Sequence, residues 1–333
     1  SAVILDQHEV QLAEYEASPY VSYNLYIANR IPLDRSLPDF RSSRCRRVVY
    51  KHPLPTASVV VVFRNEALSV LMRTVMSVIM RTVPPQMLKE ILLVDDHSET
   101  EELGFPLEWF VDEFYPRGLV RLLRMPVESG IVAGRLAGAR AAGGDALVFL
   151  DSHCEVTKGW LPPLIAPIME NRKSIVYPIM PHIDRFNMSV TVPPAEGAQS
   201  PYGRDLRIGG FAWGDSFEWF YRRAQNDDGT FLSEMPISPG GLYAIDRRYF
   251  WESGSYDEEM KLWGAENLEQ SFRIWQCGGR ILRARCSFVG HIFHSAVDES
   301  RDMNVLERNT RRAIDVWMDE YRDLFLAYAP PSL

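Results

Sequence analysis

Hydrophobic runs and helical patterns alternate along most of the chain. The β-branched run at residues 58–63 is continuous, which is typical of a strand buried on both faces. Similar runs predict four further strands, at residues 90–94, 120–123, 146–150 and 174–179. Apolar residues at helical spacing predict helices between them, one from Asn65-Glu66 to Pro84-Pro85 and others at 131–142 and 160–169. This order predicts a largely parallel, doubly wound α/β sheet.

The pattern is less regular in the second half of the chain. Residues 184–225 are rich in Gly, Pro and aromatic side chains, five of which lie close together in sequence: Trp213, Phe217, Trp219, Phe220 and Tyr221. Regular patterns then predict a strand at residues 240–245, a helix at 266–277, strands near 281 and 288, and a final helix at 305–325. We predict an arm over residues 1–50, a nucleotide-binding half over 51–155 and a second half of the same domain over 156–333.

Composition narrows the classes of protein that fit this pattern. A net charge of -8 argues against a nucleic-acid surface, which would need a basic face. No apolar run approaches the roughly 20 residues that cross a bilayer. The four cysteines, Cys45, Cys154, Cys277 and Cys286, lack the Cys-x-x-Cys spacing of zinc sites. Their even number is compatible with disulfides, but their spacing assigns none.

Polar residues follow three predicted strands, where an open α/β sheet binds its ligands: Asp95-Asp96, Asp151-Ser152-His153 and His291. Asp151 and His153 are two residues apart, so in extended backbone they point the same way and could reach one ion. Mixed oxygen and nitrogen ligands suit Mn²⁺ or a similar ion, which can also hold a diphosphate. The three strand ends together favour an enzyme that uses a nucleotide-activated donor.

Each strand end also has a structural interpretation. Asp151 could cap the next helix, and the Asp95-Asp96 pair could form an Asx-turn or a helix cap. His291 could be a hydrogen-bonded histidine of the core.

Residues 263–267 and Gly240-Gly241 are candidates for binding a sugar. Trp263 could stack on a sugar ring while Glu266 and Asn267 face it, although Glu is also common in the first turn of a helix. Gly240-Gly241 would let the backbone approach a ligand closely, or would form a simple β-bulge. The aromatic cluster could grip an acceptor, or pack the segment against the domain.

These stretches together resemble the polypeptide N-acetylgalactosaminyltransferases, which begin mucin-type O-glycosylation. The resemblance covers about residues 23–328 and rests on five stretches: 58–67, 90–96, 149–155, 263–269 and 316–321. It implies a GT-A glycosyltransferase fold, Mn²⁺, UDP-GalNAc as donor, Ser or Thr of a protein as acceptor, and transfer with retention. It also implies a Golgi lumen location, with a type II membrane anchor and a lectin domain outside this sequence.

The resemblance assigns roles residue by residue. It implies three metal ligands: Asp151, His153 and His291. It implies donor contacts at Val62, Asp96, Glu128, Ser152, Gly241 and His294. It places Trp263, Glu266 and Asn267 in the catalytic floor that holds the sugar, and Phe211, Trp213 and Phe293 in the acceptor groove, so residues 156–333 become the acceptor- and sugar-binding half. It also implies a Cys45–Cys286 disulfide and leaves Cys277 without its usual partner.

The chain departs from the family pattern at four places. Glu128 and His294 stand where Arg contacts the donor, and the Pro-Tyr lid after His294 is missing. An acid that pointed at the diphosphate would repel it. Ala265 replaces a Gly, and Ser238-Pro239 replaces Met-Ala, beside the sugar pocket. Three hypotheses therefore stay open: an active GalNAc-transferase, a transferase for another UDP-sugar, and a catalytically impaired relative that binds UDP, metal or glycoprotein and regulates the secretory pathway.

Overall fold

The computed structural model describes residues 20–50, 53–191, 205–213, 216–223, 231–293 and 302–329. The strands in these ranges are β1 Ala57–Phe63, β2 Leu88–Asp95, β3 Val120–Arg124, β4 Ala146–Asp151, β5 Cys154–Val156, β6 Ser174–Ile179, β7 His182–Ile183, β8 Val190–Thr191, β9 Asp205–Ala212, β10 Ser216–Arg223, β11 Leu232–Glu234, β12 Tyr243–Asp246 and β13 Arg280–Ile292. The α-helices are α1 Leu25–Arg30, α2 Ser43–Arg46, α3 Leu68–Arg81, α4 Phe105–Phe114, α5 Gly130–Ala141, α6 Pro162–Glu170, α7 Arg247–Glu252, α8 Glu266–Gln276, α9 Met303–Trp317 and α10 Arg322–Tyr328.

Eleven of these strands form one mixed sheet in the order β3-β2-β1-β4-β12-β6-β13-β7-β8, with β5 and β11 paired to β13. β1 runs parallel to β2 and β4, β2 to β3, and β13 to β6 and β7. β12 runs antiparallel between β4 and β6. The predicted, largely parallel sheet is thus confirmed, and β9 and β10 form a separate two-stranded hairpin.

The continuous hydrophobic run of β1 is explained by helices on both faces of the sheet. Val59 lies in one buried cluster with Leu71 and Trp160. Val60, which points the other way, lies in a second cluster with Leu136. A strand with no solvent-facing side has no polar alternation, which is why its continuous hydrophobic run predicted that it is buried on both faces.

Several element boundaries differ from the prediction. The helix predicted from Asn65 begins at Leu68, because Asn65 adopts a φ of 49° that a helix does not allow. The predicted final helix is two helices, since α9 ends at Trp317 and α10 begins at Arg322. The two strands predicted near residues 281 and 288 are one long strand, β13, with an irregular register between Ala284 and Phe288.

Residues of the segment 20–50 pack against strands of the main sheet. Tyr23 and Ile27 belong to a buried cluster that also contains Ile183 and Ile292. Cys45 forms a disulfide with Cys286 of β13, with their Cα atoms 5.4 Å apart. The disulfide implied by the resemblance is therefore present. The described helices include no apolar segment long enough to span a bilayer.

Candidate metal and donor site

The first feature of the site is the edge where β1, β2 and β4 end. Asp151 is the last residue of β4 and pairs with Val62 near the end of β1. His291 lies on a distant strand, but β13 reaches this edge because its last residues pair with β5, placing His291 opposite Cys154. The backbone N–H of Ile292 donates to the carbonyl of His153 at 3.2 Å. These pairings bring the three predicted metal ligands to one place.

The candidate ligand atoms of Asp151, His153 and His291 all lie within 4.8 Å of one another. Nε2 of His291 is 3.0 Å from Oδ2 of Asp151, and the two imidazole rings are 4.8 Å apart. Adjacent ligands of an octahedral ion at ~2.1 Å would be roughly 3 Å apart, which the distance between Asp151 and His291 matches. Nδ1 of His291 is buried and has no hydrogen-bond partner among the described residues. The donor set of two imidazoles and one carboxylate suits a divalent first-row transition metal.

The charges around the triad keep Asp151 ionised. Burial raises the pKa of Asp151, but the hydrogen bond with His291 and the charge of Arg135 outweigh this effect and hold the pKa well below its ordinary value. Burial lowers the pKa of His291, which favours the neutral imidazole that a metal needs. The site therefore presents an anionic oxygen and a neutral nitrogen side by side.

Arg135 of α5 connects the triad to the predicted sugar floor, and sequence analysis missed it. Its Nη2 lies 3.5 Å from Oδ1 of Asp151 and 3.4 Å from the carbonyl of Gly241. Its Nη1 lies 3.6 Å from Oε1 of Glu266. Arg135 is buried between these carboxylates, which raise its pKa against the opposing effect of burial. The sequence signal was an Arg, one of two, in a helix otherwise made of Gly, Ala and aliphatic residues.

The predicted sugar-binding residues lie around Asp151. A Cβ atom at Gly241 would be 2.5 Å from Oδ2 of Asp151, so only glycine fits there. Oε2 of Glu266 accepts from the N–H of Gly264 at 3.0 Å, and Nδ2 of Asn267 donates to the carbonyl of Ser238 at 3.0 Å. These contacts fix the start of α8 beside the triad. Trp263, two residues before Ala265, is 46% exposed.

Ala265, the residue directly before α8, adopts a backbone conformation that favours glycine. Its φ is 63°, which costs an L-residue about 1–2 kcal/mol. The N–H groups of Leu268 and Glu269 donate to its carbonyl, and its methyl group lies in a small buried cluster with Ile237. The replacement of Gly by Ala is thus accommodated by local contacts.

Asp95, the last residue of β2, and Asp96, which follows it, make different contacts. Asp95 accepts from the N–H of Ser98 at 2.8 Å and pairs with Arg124, so the structural interpretation holds for Asp95. Asp96 accepts from the N–H groups of Ser129 and Gly130, each at 2.8 Å. Asp96 therefore orders the loop that leads into α5.

Val62 and Ser152 point into the protein. The Val62 side chain is buried against α5, where a Cβ at Gly134 would lie 2.5 Å from its Cγ1. The Ser152 hydroxyl donates to Glu66 at 2.7 Å. The donor-binding roles that the resemblance implies for Val62 and Ser152 stay predictions.

Glu128 is paired with a cation that the sequence did not indicate as its partner. Nη2 of Arg64 lies 3.1 Å from Oε2 of Glu128 and 3.2 Å from Oε1 of Glu99. Nη1 of Arg64 also donates to the carbonyl of Asp96 at 3.1 Å. Glu128 is therefore not an isolated negative charge at this edge. His294 lies outside the described residues.

The predicted acceptor residues occupy two places. The ring of Phe293 lies 4.4 Å from that of His291, directly at the triad. Phe211 of β9 packs against Phe272 of α8 and Phe325 of α10, with ring centroids 5.7 and 5.5 Å apart. Trp213, 40% exposed, makes an edge contact with Phe211. Phe211 is therefore packed among aromatic side chains, while Trp213 keeps accessible surface.

Glu66 is a second residue that sequence analysis missed. Its buried carboxylate accepts from the hydroxyls of Tyr23 and Ser152, from Nδ1 of His153 at 2.9 Å and from the N–H of Ala67 at 3.1 Å. Burial raises the pKa of Glu66, but His153 and these hydrogen bonds lower it to about 2. The same carboxylate raises the pKa of His153 against the effect of burial. The available signal was an acid at the end of a fully buried strand.

Comparison with known proteins defines the class of this chain. The family described as Glycosyl transferase family 2 matches residues 58–253, which include β1, β4 and Asp151. The chain therefore belongs to glycosyl transferase family 2.

Its relatives include polypeptide N-acetylgalactosaminyltransferase 13 of Homo sapiens, 43% identical over 318 residues, covering 92% of this chain and 54% of that protein. Polypeptide N-acetylgalactosaminyltransferase 3 of Drosophila melanogaster is 44% identical, with 92% of this chain and 46% of that protein covered. The chain thus spans about half the length of the curated relatives that it matches. The resemblance seen in the sequence is confirmed.

Solved structures confirm the GT-A fold. The crystal structure of GalNAc-T7 with UDP, GalNAc and Mn²⁺ matches with a TM-score of 0.89 and 35% identity, covering 98% of this chain and 60% of that one. A mannosyltransferase of Pyrobaculum calidifontis, solved with GDP-Man and Mn²⁺, matches with a TM-score of 0.56 and 14% identity, which concerns the fold alone.

Proposed function

We propose that this chain transfers GalNAc from UDP-GalNAc to Ser or Thr hydroxyls of proteins, with Mn²⁺ as cofactor. The observation that carries the proposal is the buried Asp151–His153–His291 triad at the carboxyl edge of the sheet. It lies in a chain whose relatives are polypeptide N-acetylgalactosaminyltransferases and whose structural relative was solved with UDP, GalNAc and Mn²⁺.

The triad would hold Mn²⁺. A divalent ion bound there supplies positive charge that stabilises a departing diphosphate. Arg135 keeps Asp151 ionised and holds Glu266 in place, because its two terminal nitrogens face the two carboxylates at 3.5 and 3.6 Å. We assign Glu266 a positioning role, since both its oxygens already face protein partners.

The sugar would lie over Gly241, Asn267 and Trp263. Gly241 lies directly against Asp151, where no larger residue fits, and the partly exposed Trp263 would offer aromatic surface to a pyranose. Asn267 is anchored by Ser238, so its orientation is fixed before a ligand arrives. An ordered floor of this kind reduces the entropy lost when the donor binds.

The nucleotide would lie near Asp96, Val62 and Ser152, beside the loop that contains Glu128. Asp96 holds this loop through two backbone hydrogen bonds. Arg64 places a positive charge against Glu128, which weakens the argument that this acid prevents donor binding. This pairing favours the active transferase over the impaired relative.

The acceptor peptide would contact Phe293 beside the triad and the accessible face of Trp213. Phe211 would support Trp213 through their edge contact. The Cys45–Cys286 disulfide suits an oxidising compartment, and we propose the Golgi lumen as the location, with a membrane anchor outside these residues.

Activity is tested by incubating the chain with UDP-GalNAc, Mn²⁺ and a Thr-rich peptide, and measuring the mass of the peptide and the release of UDP. We expect one or more added N-acetylhexosamines, and none with EDTA. UDP-GlcNAc and UDP-galactose in parallel assays test the donor. UDP release without modified peptide would show hydrolysis only, and UDP binding without either product would support the impaired relative.

Glu128→Gln is expected to strengthen UDP binding about two- to fivefold, because one negative charge near the diphosphate is removed and Arg64 is released from it. The effect should shrink at high salt, because Glu128 is half-exposed. Titration calorimetry with UDP and Mn²⁺ measures it.

Glu252→Gln is the matched control for this prediction. Glu252 is also an exposed acid paired with an arginine, Arg172, at 2.7 Å. It lies on α7, which follows Asp246, and Asp246 pairs with Ala146 at the end of β4 opposite to Asp151. Equal changes in the two variants would contradict a local effect of Glu128.

A further inference from the structure

The turn that joins β7 to β8 contains an N-glycosylation sequon, Asn187-Met188-Ser189. It is the only Asn-x-Ser or Asn-x-Thr sequence in the chain. Proteins of the secretory pathway can carry a glycan on the asparagine amide of such a sequence, where it lies in a surface loop. Three-residue matches also arise by chance, so the conformation and exposure of the turn are needed to support this one.

The side chain of Asn187 forms an Asx-turn within the sequon. Its Oδ1 accepts from the N–H of Ser189 at 2.8 Å. Its Nδ2, the atom to which a glycan is attached, has no acceptor among the described residues. A sugar on Nδ2 would therefore break no hydrogen bond of the described structure, and Oδ1 could keep its contact with Ser189.

The residues on either side of Asn187 hold the turn at the surface. Met188 is 1% exposed and lies in the buried cluster of the arm, and its carbonyl accepts from Nη1 of Arg35 at 2.8 Å. Phe186, by contrast, is 63% exposed, and Asn187 is partly exposed between the two. The turn is thus anchored through Met188, while the side chains of Phe186 and Asn187 reach solvent.

The turn also lies at the rim of the main sheet. β8 pairs with β7 and with no other described strand. A glycan is bulky and hydrophilic, so it suits a rim position, where it need not displace packed side chains. A glycan at this rim would also oppose pairing of the sheet edge with another chain, because strand edges are templates for association.

The sequon is accessible before the domain has folded. β7 is held in the sheet by β13, with His182 opposite His291. Since β13 is synthesised long after β7, the sequon is not yet packed against it when this part of a growing chain enters a secretory lumen. An enzyme can therefore reach Met188 and Ser189, which the folded domain partly covers.

We propose that Asn187 is N-glycosylated when this chain passes through the secretory pathway. Nδ2 of Asn187 forms a bond to C1 of the first N-acetylglucosamine of a lipid-linked diphosphate oligosaccharide. The bond between C1 and the diphosphate oxygen breaks, the lipid diphosphate leaves with that electron pair, and a base of the host enzyme takes one amide proton. The modification rests on the proposed function only for the location, because the lipid-linked donor is a substrate of the secretory pathway.

Expression in cultured animal cells, behind an added signal sequence, tests the modification of Asn187. We expect peptide:N-glycosidase to lower the mass of most molecules by one glycan and to leave aspartate at position 187, which tandem mass spectrometry detects. Asn187→Gln and Ser189→Ala should each abolish the mass change. Ser189→Thr should keep it, because threonine also supplies the hydroxyl that the sequon requires.

Asn171→Gln is the matched control. Oδ1 of Asn171 accepts from the N–H of Lys173 at 3.0 Å, so Asn171 makes the same kind of contact but has no Ser or Thr two residues later. This variant should keep the glycan of the wild-type chain.

The outcomes separate the modification from the proposed function. A chain whose Cys45–Cys286 disulfide has formed, which shows passage through an oxidising lumen, but whose Asn187 is unmodified would overturn the modification, whether or not the chain transfers GalNAc. A glycan that persists in Asn187→Gln would overturn it as well. A chain that is glycosylated at Asn187 but transfers no GalNAc would support the modification and overturn the proposed function alone.

Discussion

Replacement of Asp151 by alanine is expected to weaken Mn²⁺-dependent UDP binding by at least about 100-fold, and to reduce GalNAc transfer in proportion. Loss of a residue that only supports a metal ligand already costs 10- to 100-fold in affinity or activity, so loss of a ligand should cost more. Asp151 is also the one member of the triad that carries a negative charge. Without it, two imidazoles and the nearby Arg135 would surround the position of a cation.

The substitution also affects folding, which the experiment must separate from binding. Arg135 would lose one of its two carboxylate partners and keep Glu266 at 3.6 Å. We expect a decrease of about 1–3 kcal/mol in the free energy of unfolding, because a buried charge becomes less well paired. Calorimetry with UDP and Mn²⁺ below the unfolding temperature of the variant measures binding to the folded chain.

Asp112→Ala is a suitable control, since Asp112 is an exposed acid on α4. It should leave UDP binding and transfer unchanged. If Asp151→Ala bound UDP and Mn²⁺ as tightly as the wild-type chain, the triad would not be the metal site.

Removal of the Cys45–Cys286 disulfide, by replacing both cysteines with serine, is expected to lower the free energy of unfolding by about 2–5 kcal/mol. The bond joins residues 241 positions apart, so its loss releases a very long loop in the unfolded chain. It also releases the arm from β13, which carries His291. Urea unfolding followed by fluorescence measures the stability.

Cys277→Ser is the control for the disulfide, because Cys277 is an exposed free thiol at the end of α8. Its stability should stay within about 0.5 kcal/mol of the wild-type value. The double variant should also require more Mn²⁺ for half-maximal activity if the arm supports the triad. A double variant as stable as the wild type would show that burial alone holds the arm in place.

Much of the fold could be predicted because its strands are buried on both faces. The runs around Val60 and Val148 contain no polar interruption, and such runs mark the centre of a parallel sheet. The antiparallel direction of β12 could not be predicted, because a run of apolar residues does not indicate whether the strand runs parallel or antiparallel to its neighbours. The break between α9 and α10 also escaped prediction, since Asp319 turns the chain with a φ of 44° in a segment with helical spacing.

The sequence predicted only those site residues whose side chains can bind a metal and that also follow a predicted strand. Asp151, His153 and His291 follow hydrophobic runs and have metal-binding side chains, so the pattern indicated them. Arg135 and Glu66 were missed because their roles depend on contacts across the fold. The pairing of Glu128 with Arg64 was missed for the same reason, since the two residues lie on different loops that only the fold brings together.

The long reach of β13 has a consequence for the order in which the protein is made. His291 meets Asp151 across 140 positions of sequence, so a growing chain cannot assemble the triad until nearly all of the domain has left the ribosome. The contact of Tyr23 with Glu66 spans only 43 positions and can form early. A nascent chain could thus pair Tyr23 with Glu66 long before His291 is available. The proposed metal site would be complete only in a finished domain.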